Sequence, residues 1–93
     1  MYIQSVDNKI KEEMKAEYIK AAKEFAKDGM ENDEGCLKME VCEDVERPDH
    51  IFIVSVWDSQ EHMETAQAFL RHKADLKPAF LGNQTTIMTT VEE

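Results

Sequence analysis

Residues 51–57, Ile-Phe-Ile-Val-Ser-Val-Trp, are apolar at every position except Ser55. A strand that is apolar on both faces has to be covered on both faces. Asp58-Ser59-Gln60-Glu61 follows at once, and two candidate caps just ahead of Glu61 mark a helix start. Upstream, Leu37, Met39 and Val41 alternate with Lys38 and Glu40, the period-two pattern of a strand with one wet face. Between these runs lies the polar stretch from Glu43 to Asp49. Pro48 presets φ there and Asp49 can bond to the local backbone, so a turn joins the two strands. The chain is therefore organised around a hairpin whose second strand is central and feeds straight into a helix.

Tyr2, Val6 and Ile10 share a face with Gln4 and Asn8, which predicts a first strand within residues 1–11. Met14, Tyr18, Ala22 and Phe25 then recur at helical spacing, with Ile19, Ala21 and Ala26 beside them. Lys20, Lys23, Glu24 and Lys27 fall off that stripe. This predicts an amphipathic helix from about Met14 to Asp28. Gly29 is expected to end it in a left-handed conformation, and residues 31–35 to form a polar loop. The second helix is expected to turn Met63, Ala66, Phe69 and Leu70 inward and to fade near Arg71-His72. Lys73 to Leu81 is expected to be a short helical piece broken or restarted at Pro78. Gly82-Asn83 reads as a stop. Thr85 to Val91, rich in β-branched residues, reads as the last strand.

The order β-α-β-β-α-β over one domain, residues 1–93, predicts an α+β, ferredoxin-like fold on an antiparallel sheet. Right-handed crossovers are expected to set the first and third strands side by side in the middle, those two running parallel. Both helices then pack on one face. The second face of the third strand is left bare, and a twofold-related partner sheet is the simplest cover, so a homodimer is expected.

The net charge of −9 argues against nucleic-acid and membrane partners, which need a basic footprint. The sequence lacks a signal-peptide pattern and a long apolar run, which predicts a soluble, cytoplasmic protein. The two cysteines, Cys36 and Cys42, sit six residues apart in one strand. At about 3.3 Å per residue they stand roughly 20 Å apart, beyond disulfide reach, so two reduced thiols are expected.

Several short stretches, taken together and in order, resemble the antibiotic-biosynthesis-monooxygenase domain, a dimeric α+β barrel. They are Glu34-Gly35-Cys36-Leu37, Glu43-Asp44, Arg47-Pro48-Asp49, Val56-Trp57-Asp58-Ser59 and His72. The resemblance covers nearly the whole chain. It implies a homodimeric enzyme that oxygenates a small electron-rich phenol or quinol with O2, with no metal, flavin or other cofactor. Known members also include haem-degrading enzymes and autoinducer-processing isomerases.

Three residues carry the expected chemistry. Trp57 closes the third strand, either as core packing or as a flat wall that stacks on a planar aromatic molecule. Asn8 shares the face of Val6 and Ile10 and must find partners there, either as a loop cap or as a donor to a substrate oxygen. With parallel central strands, Asn8 and Trp57 would share one cavity mouth. The family pattern places His72 at the segment that closes the pocket, where its imidazole would take a phenol proton, or else sit at a helix end. Val6, Phe52, Phe69 and Phe80 are the expected lining. His50 and His62 are expected to be solvated, and no metal site is expected.

Two alternatives remain. One is haem binding and degradation, because Asp7-Asn8-Lys9-Ile10 and Val56-Trp57 resemble the motifs of the haem-degrading members. Their axial histidine would fall near Lys77 here, one turn beyond His72. The other is a non-catalytic dimer that binds a small metabolite.

Overall fold

In the computed structural model, which describes residues 1–92, the chain opens with β1 (Tyr2–Ile10) and α1 (Lys15–Asn32), joined by a 3-10 turn at Glu12–Met14. The hairpin follows as β2 (Cys36–Glu43) and β3 (His50–Trp57). Next come a short α2 (Gln60–Glu64), α3 (Ala68–Leu76), a 3-10 turn at Lys77–Ala79 and β4 (Phe80–Thr89). The strands form one sheet in the order β2-β3-β1-β4 with every neighbour antiparallel. Helices pack on one face of this sheet, which is the ferredoxin-like α+β arrangement.

The central pair corrects one expectation. β1 and β3 are antiparallel, with Tyr2 opposite Trp57 and Asn8 opposite Ile51. The physical reason is the hairpin. The α1 crossover skips one strand position, so β2 runs with β1, and β3, turned back by the hairpin, must oppose both. Asn8 and Trp57 consequently sit at opposite ends of the sheet.

The register lays out the helix-facing side in rows. Asn83, Asn8 and Ile51 make one, Thr85, Val6 and Ile53 the next, then Ile87, Gln4 and Ser55, and finally Thr89, Tyr2 and Trp57. Along β3 the alternation is complete: Ile51, Ile53, Ser55 and Trp57 are buried, while His50, Phe52, Val54 and Val56 between them are half-covered. The other side of the sheet therefore carries Ile3, Phe52, Val54, Val56 and Met88 with no element of this chain over them.

α1 buries Tyr18, Ala21, Ala22, Ala26 and Gly29, a stripe of mostly small residues that lets the helix lie close to the sheet. Gly29 does not end it. The helix runs on to Asn32, and a Cβ at Gly29 would meet Met39 Cε at 2.9 Å and Ala68 Cβ at 3.7 Å. The glycine serves close approach, and the left-handed position is Gly35, at φ +79°. A Cβ at Gly35 would also strike His62 and Asp58.

Three further expectations change. A bulge at Leu37 breaks the β2 alternation, so Met39 and Val41 face the core while Leu37 turns out to solvent. The second helix is two pieces, because the Asp33 carboxylate accepts the N–H groups of Gln67 at 3.0 Å and Ala68 at 3.1 Å and so caps a new helix there. Leu70 is consequently exposed rather than inward. Gly82-Asn83 lies inside β4, which starts at Phe80 and absorbs a register shift beside Lys9 and Ile10.

Candidate active site

A cavity of about 720 Å³ lies between the helix-facing side of the sheet and the helices α1 and α3. Its floor is read from the register: Asn8, Val6 and Gln4 on β1, Ile53, Ser55 and Trp57 on β3, Asn83 and Thr85 on β4. Tyr18 and Phe25 of α1 form one wall, and Met63, Phe69, Lys73 and Leu76 with Lys77 form the other. No helix covers β4, so the cavity opens there, between Phe69, Lys73, Lys77 and Phe80 on one side and Asn83 and Thr85 on the other. This is a mostly apolar cleft with a few polar groups converging on it, in the size range of small-molecule sites.

Trp57 closes one end. It is 1% exposed, and its indole N–H donates to Ser55 Oγ at 2.8 Å. Asn8 closes the other end at 4% exposure. Its side-chain nitrogen reaches two carbonyl oxygens, Val6 O at 3.1 Å and Ile51 O at 3.2 Å. A carbonyl can only accept, so the Asn8 amide orientation is fixed and both of its donors are used. Tyr18 lies in the first turn of α1, at the Asn8 end, and is 2% exposed. Burial pushes its phenol up to about 12, so it is a neutral hydroxyl at physiological pH. The helical pattern of α1 marks Tyr18 only as core, and nothing in the sequence separates it from the other apolar members of that stripe.

His72 does not line the cavity. Its Nε2 pairs with Asp28 Oδ2 at 2.8 Å, on the outer side of the contact between α1 and α3. Arg71 donates to the same carboxylate from Nε at 2.8 Å and Nη2 at 3.1 Å, and Asn32 adds a bond at 2.7 Å. Arg71 first, then Asn32 and His72, hold the Asp28 carboxyl well below the usual range. The group is a latch between α1 and α3, which together with the Asp33 cap fixes the α3 wall of the cavity. The other histidines are also paired rather than free in solvent: His50 Nδ1 with Asp7 at 2.7 Å and His62 Nδ1 with Asp58 at 2.6 Å. None of the three histidines lines the cavity.

Of the expected lining, Val6, Phe69 and Phe80 are in place. Phe52 is not, because its register position opposite Asp7 puts it on the uncovered side of the sheet. Asn8 and Trp57 do meet one cavity, but from its two ends rather than at a shared mouth. Cys36 and Cys42 are free thiols in β2. Among the described residues no group of three histidines, cysteines or acids is placed to hold a metal ion, and no helix is long and apolar enough to cross a membrane.

Comparison with known proteins bears on this arrangement. The family model described as antibiotic biosynthesis monooxygenase matches residues 1–75. A solved structure from Nitrosomonas europaea, provisionally named an antibiotic biosynthesis monooxygenase, superposes with a TM-score of 0.87 at 9% identity, covering 99% of this chain and 100% of its own. A second, named an antibiotic biosynthesis monooxygenase, gives 0.83 at 16% identity over 99% and 100% of the two chains. A conserved protein from Methanosarcina mazei Go1 gives 0.80 at 18% identity over 95% and 91%. At such identities the likeness establishes the fold. No curated protein matches the chain.

Proposed function

We infer that the chain, which belongs to the antibiotic biosynthesis monooxygenase family, oxygenates a small electron-rich phenol or quinol with O2 and no bound cofactor. The observation that carries this reading is the cavity itself: an apolar space of about 720 Å³, opening to solvent beside β4, with a tryptophan wall at one end and an amide at the other. Such a space fits a one- or two-ring aromatic molecule and sheds most of its water. Lys73 and Lys77 stand at its rim in a chain of net charge −9 and favour the ionised form of an entering phenol. The phenolate supplies the electrons for O2. One oxygen atom replaces hydrogen on a ring carbon and the other leaves as water, so a phenol becomes a quinone and a quinol a hydroxyquinone. Asn8 meets the ring at its end of the cavity, with Val6, Phe69 and Phe80 around it, and Trp57 closes the far end. The proton passes to solvent at the open rim, since His72 lies outside. The cavity wall offers no imidazole, which speaks against a haem held by an axial histidine.

The apolar stripe Ile3, Val54, Val56 and Met88 on the uncovered side of the sheet supports a homodimer closed sheet to sheet. An intact fold that stays monomeric at micromolar concentration overturns that part.

The test of the reaction is an oxygen-electrode screen across quinols, with ligand protection against thermal unfolding measured beside it. Stoichiometric O2 uptake with hydroxyquinone formation supports the reading. Protection without O2 uptake makes the protein a binder.

A further inference from the structure

The rim lysines, the latch at Asp28 and the paired histidines are all accounted for by charge balance or helix docking. Two buried polar atoms are not. Asn8 spends both amide donors on Val6 O and Ile51 O, yet its Oδ1 accepts from no group among the described residues. The Tyr18 hydroxyl likewise makes no hydrogen bond to any described residue. Among the described residues no side-chain polar atom that is sealed from solvent lacks a partner, so these two oxygens must open onto space. Both residues are more than nine-tenths buried and both line the cavity. The space they open onto is therefore the cavity.

A buried polar group left without a partner is costly, and each of these is complete only when the cavity supplies one. Their chemistry is opposite. Asn8 Oδ1 can only accept. The Tyr18 hydroxyl is the available donor, because burial keeps it protonated at physiological pH. They lie at one end of the cavity, since α1 begins where β1 ends.

We propose that Asn8 and Tyr18 form an acceptor–donor pair that selects ligands bearing both a hydroxyl and an oxygen acceptor: Asn8 Oδ1 takes the ligand's hydroxyl proton in a hydrogen bond, and the Tyr18 hydroxyl donates to a carbonyl or phenolate oxygen. This rests on the cavity assigned above and reverses the role expected for Asn8 from the sequence, that of a donor. On a quinol it selects the mono-anion, with one oxygen still protonated at Asn8 and the other ionised at Tyr18. An ether or ester in place of the ligand's hydroxyl offers Asn8 Oδ1 no proton, leaves it unpaired and is rejected.

The test is direct binding, by fluorescence titration, of three stable probes that take no part in oxygen chemistry: 6-acetyl-2-naphthol, 2-acetylnaphthalene without the hydroxyl, and 2-naphthol without the carbonyl. Wild-type protein is expected to bind the first about 3- to 10-fold tighter than either of the others, the worth of one neutral hydrogen bond. Tyr18→Phe is expected to weaken both acetyl compounds by that factor and to leave 2-naphthol and the melting temperature unchanged, because the hydroxyl holds nothing in the protein. Asn8→Leu is expected to weaken both naphthols and spare 2-acetylnaphthalene. Should Asn8→Leu not fold, the wild-type ranking and Tyr18→Phe decide alone. Equal weakening of all three probes in Tyr18→Phe, no weakening of any, or no binding of any probe to the wild-type protein overturns the pair. The expected pattern without O2 uptake on quinols leaves the pair standing and removes the oxygenase reading.

Discussion

At the Trp57 end of the cavity the two fully buried polar side chains are paired with each other: the indole N–H donates to Ser55 Oγ at 2.8 Å, and only the half-buried Gln4 beside them is unpaired among the described residues. At the Asn8 end the polar groups are equally buried but incompletely used, with an amide oxygen and a phenol hydroxyl facing the cavity. The two ends have the same floor, the same sheet and similar burial. They differ in where their hydrogen bonds go. A spent hydrogen bond fixes a side chain and makes it architecture, whereas an unspent one in a cavity is available to a ligand. Burial alone would have given Trp57 and Tyr18 the same role, and the hydrogen-bond ledger separates them.

Trp57→Ala is the largest expected effect and the most direct way to break the comparison. Removing a large buried aromatic side chain costs about 3–5 kcal/mol. In a domain of this size that lowers the melting temperature on the order of 15–30 °C. The same variant also frees the Ser55 hydroxyl, so Trp57→Phe should recover most of the stability but not all. Thermal unfolding followed by circular dichroism measures both. A Trp57→Ala protein that melts near the wild-type temperature but loses ligand binding would make the Trp57 end a recognition site too.

His72→Ala sharpens the comparison from outside the cavity. His72 gives its Nε2 to Asp28, which Arg71 and Asn32 already bind. Turnover on a quinol is expected to stay within about twofold, against the 10²–10⁴-fold loss typical of a missing general base. A loss in that larger range would mean that α3 shifts to bring the imidazole over the cavity and would restore His72 as the base.

What the sequence disclosed follows the same division. Alternation reveals strands because burial is periodic, and β3 shows it at every position from His50 to Trp57. Residues that are polar on an apolar face, such as Asn8, stand out for the same reason. Tyr18 did not, since an aromatic in a helical apolar stripe satisfies the pattern whether or not its hydroxyl is used. Asp33 did not either: it caps a helix 34 residues further on, and its role exists only once α3 has docked. Gly29 and Gly35 both fit a helix stop in sequence, and only the packing of Met39 against Gly29 tells close approach from left-handed backbone. The direction of β3 was legible, since the hairpin that the sequence shows turns β3 back against β2, and a crossover that leaves β2 running with β1 then makes β3 antiparallel to β1.

The smallest expected effect concerns pH and tests another spent pair beside the Trp57 end. Asp58 follows Trp57 directly, and its Oδ1 lies 2.6 Å from His62 Nδ1. The hydrogen bond to Asp58 raises the His62 pKa above its ordinary value, and the bond to His62 lowers that of Asp58. For His62 the stabilisation is fully present below its unfolded pKa, about 6.5, and is lost as pH rises through the higher folded value. For Asp58 it is present above the unfolded value near 4 and is lost as pH falls through the lower folded one. The two windows overlap around pH 5. The melting temperature of the wild-type protein should therefore exceed that of His62→Gln most at about pH 5, by no more than a few degrees for a pair this exposed, and the gap should close by pH 9. Half-molar salt should narrow it further. A gap that persists unchanged from pH 5 to pH 9 would mean that His62 acts through packing against Gly35 rather than through charge, leaving hydrogen-bond accounting as a guide to the cavity alone.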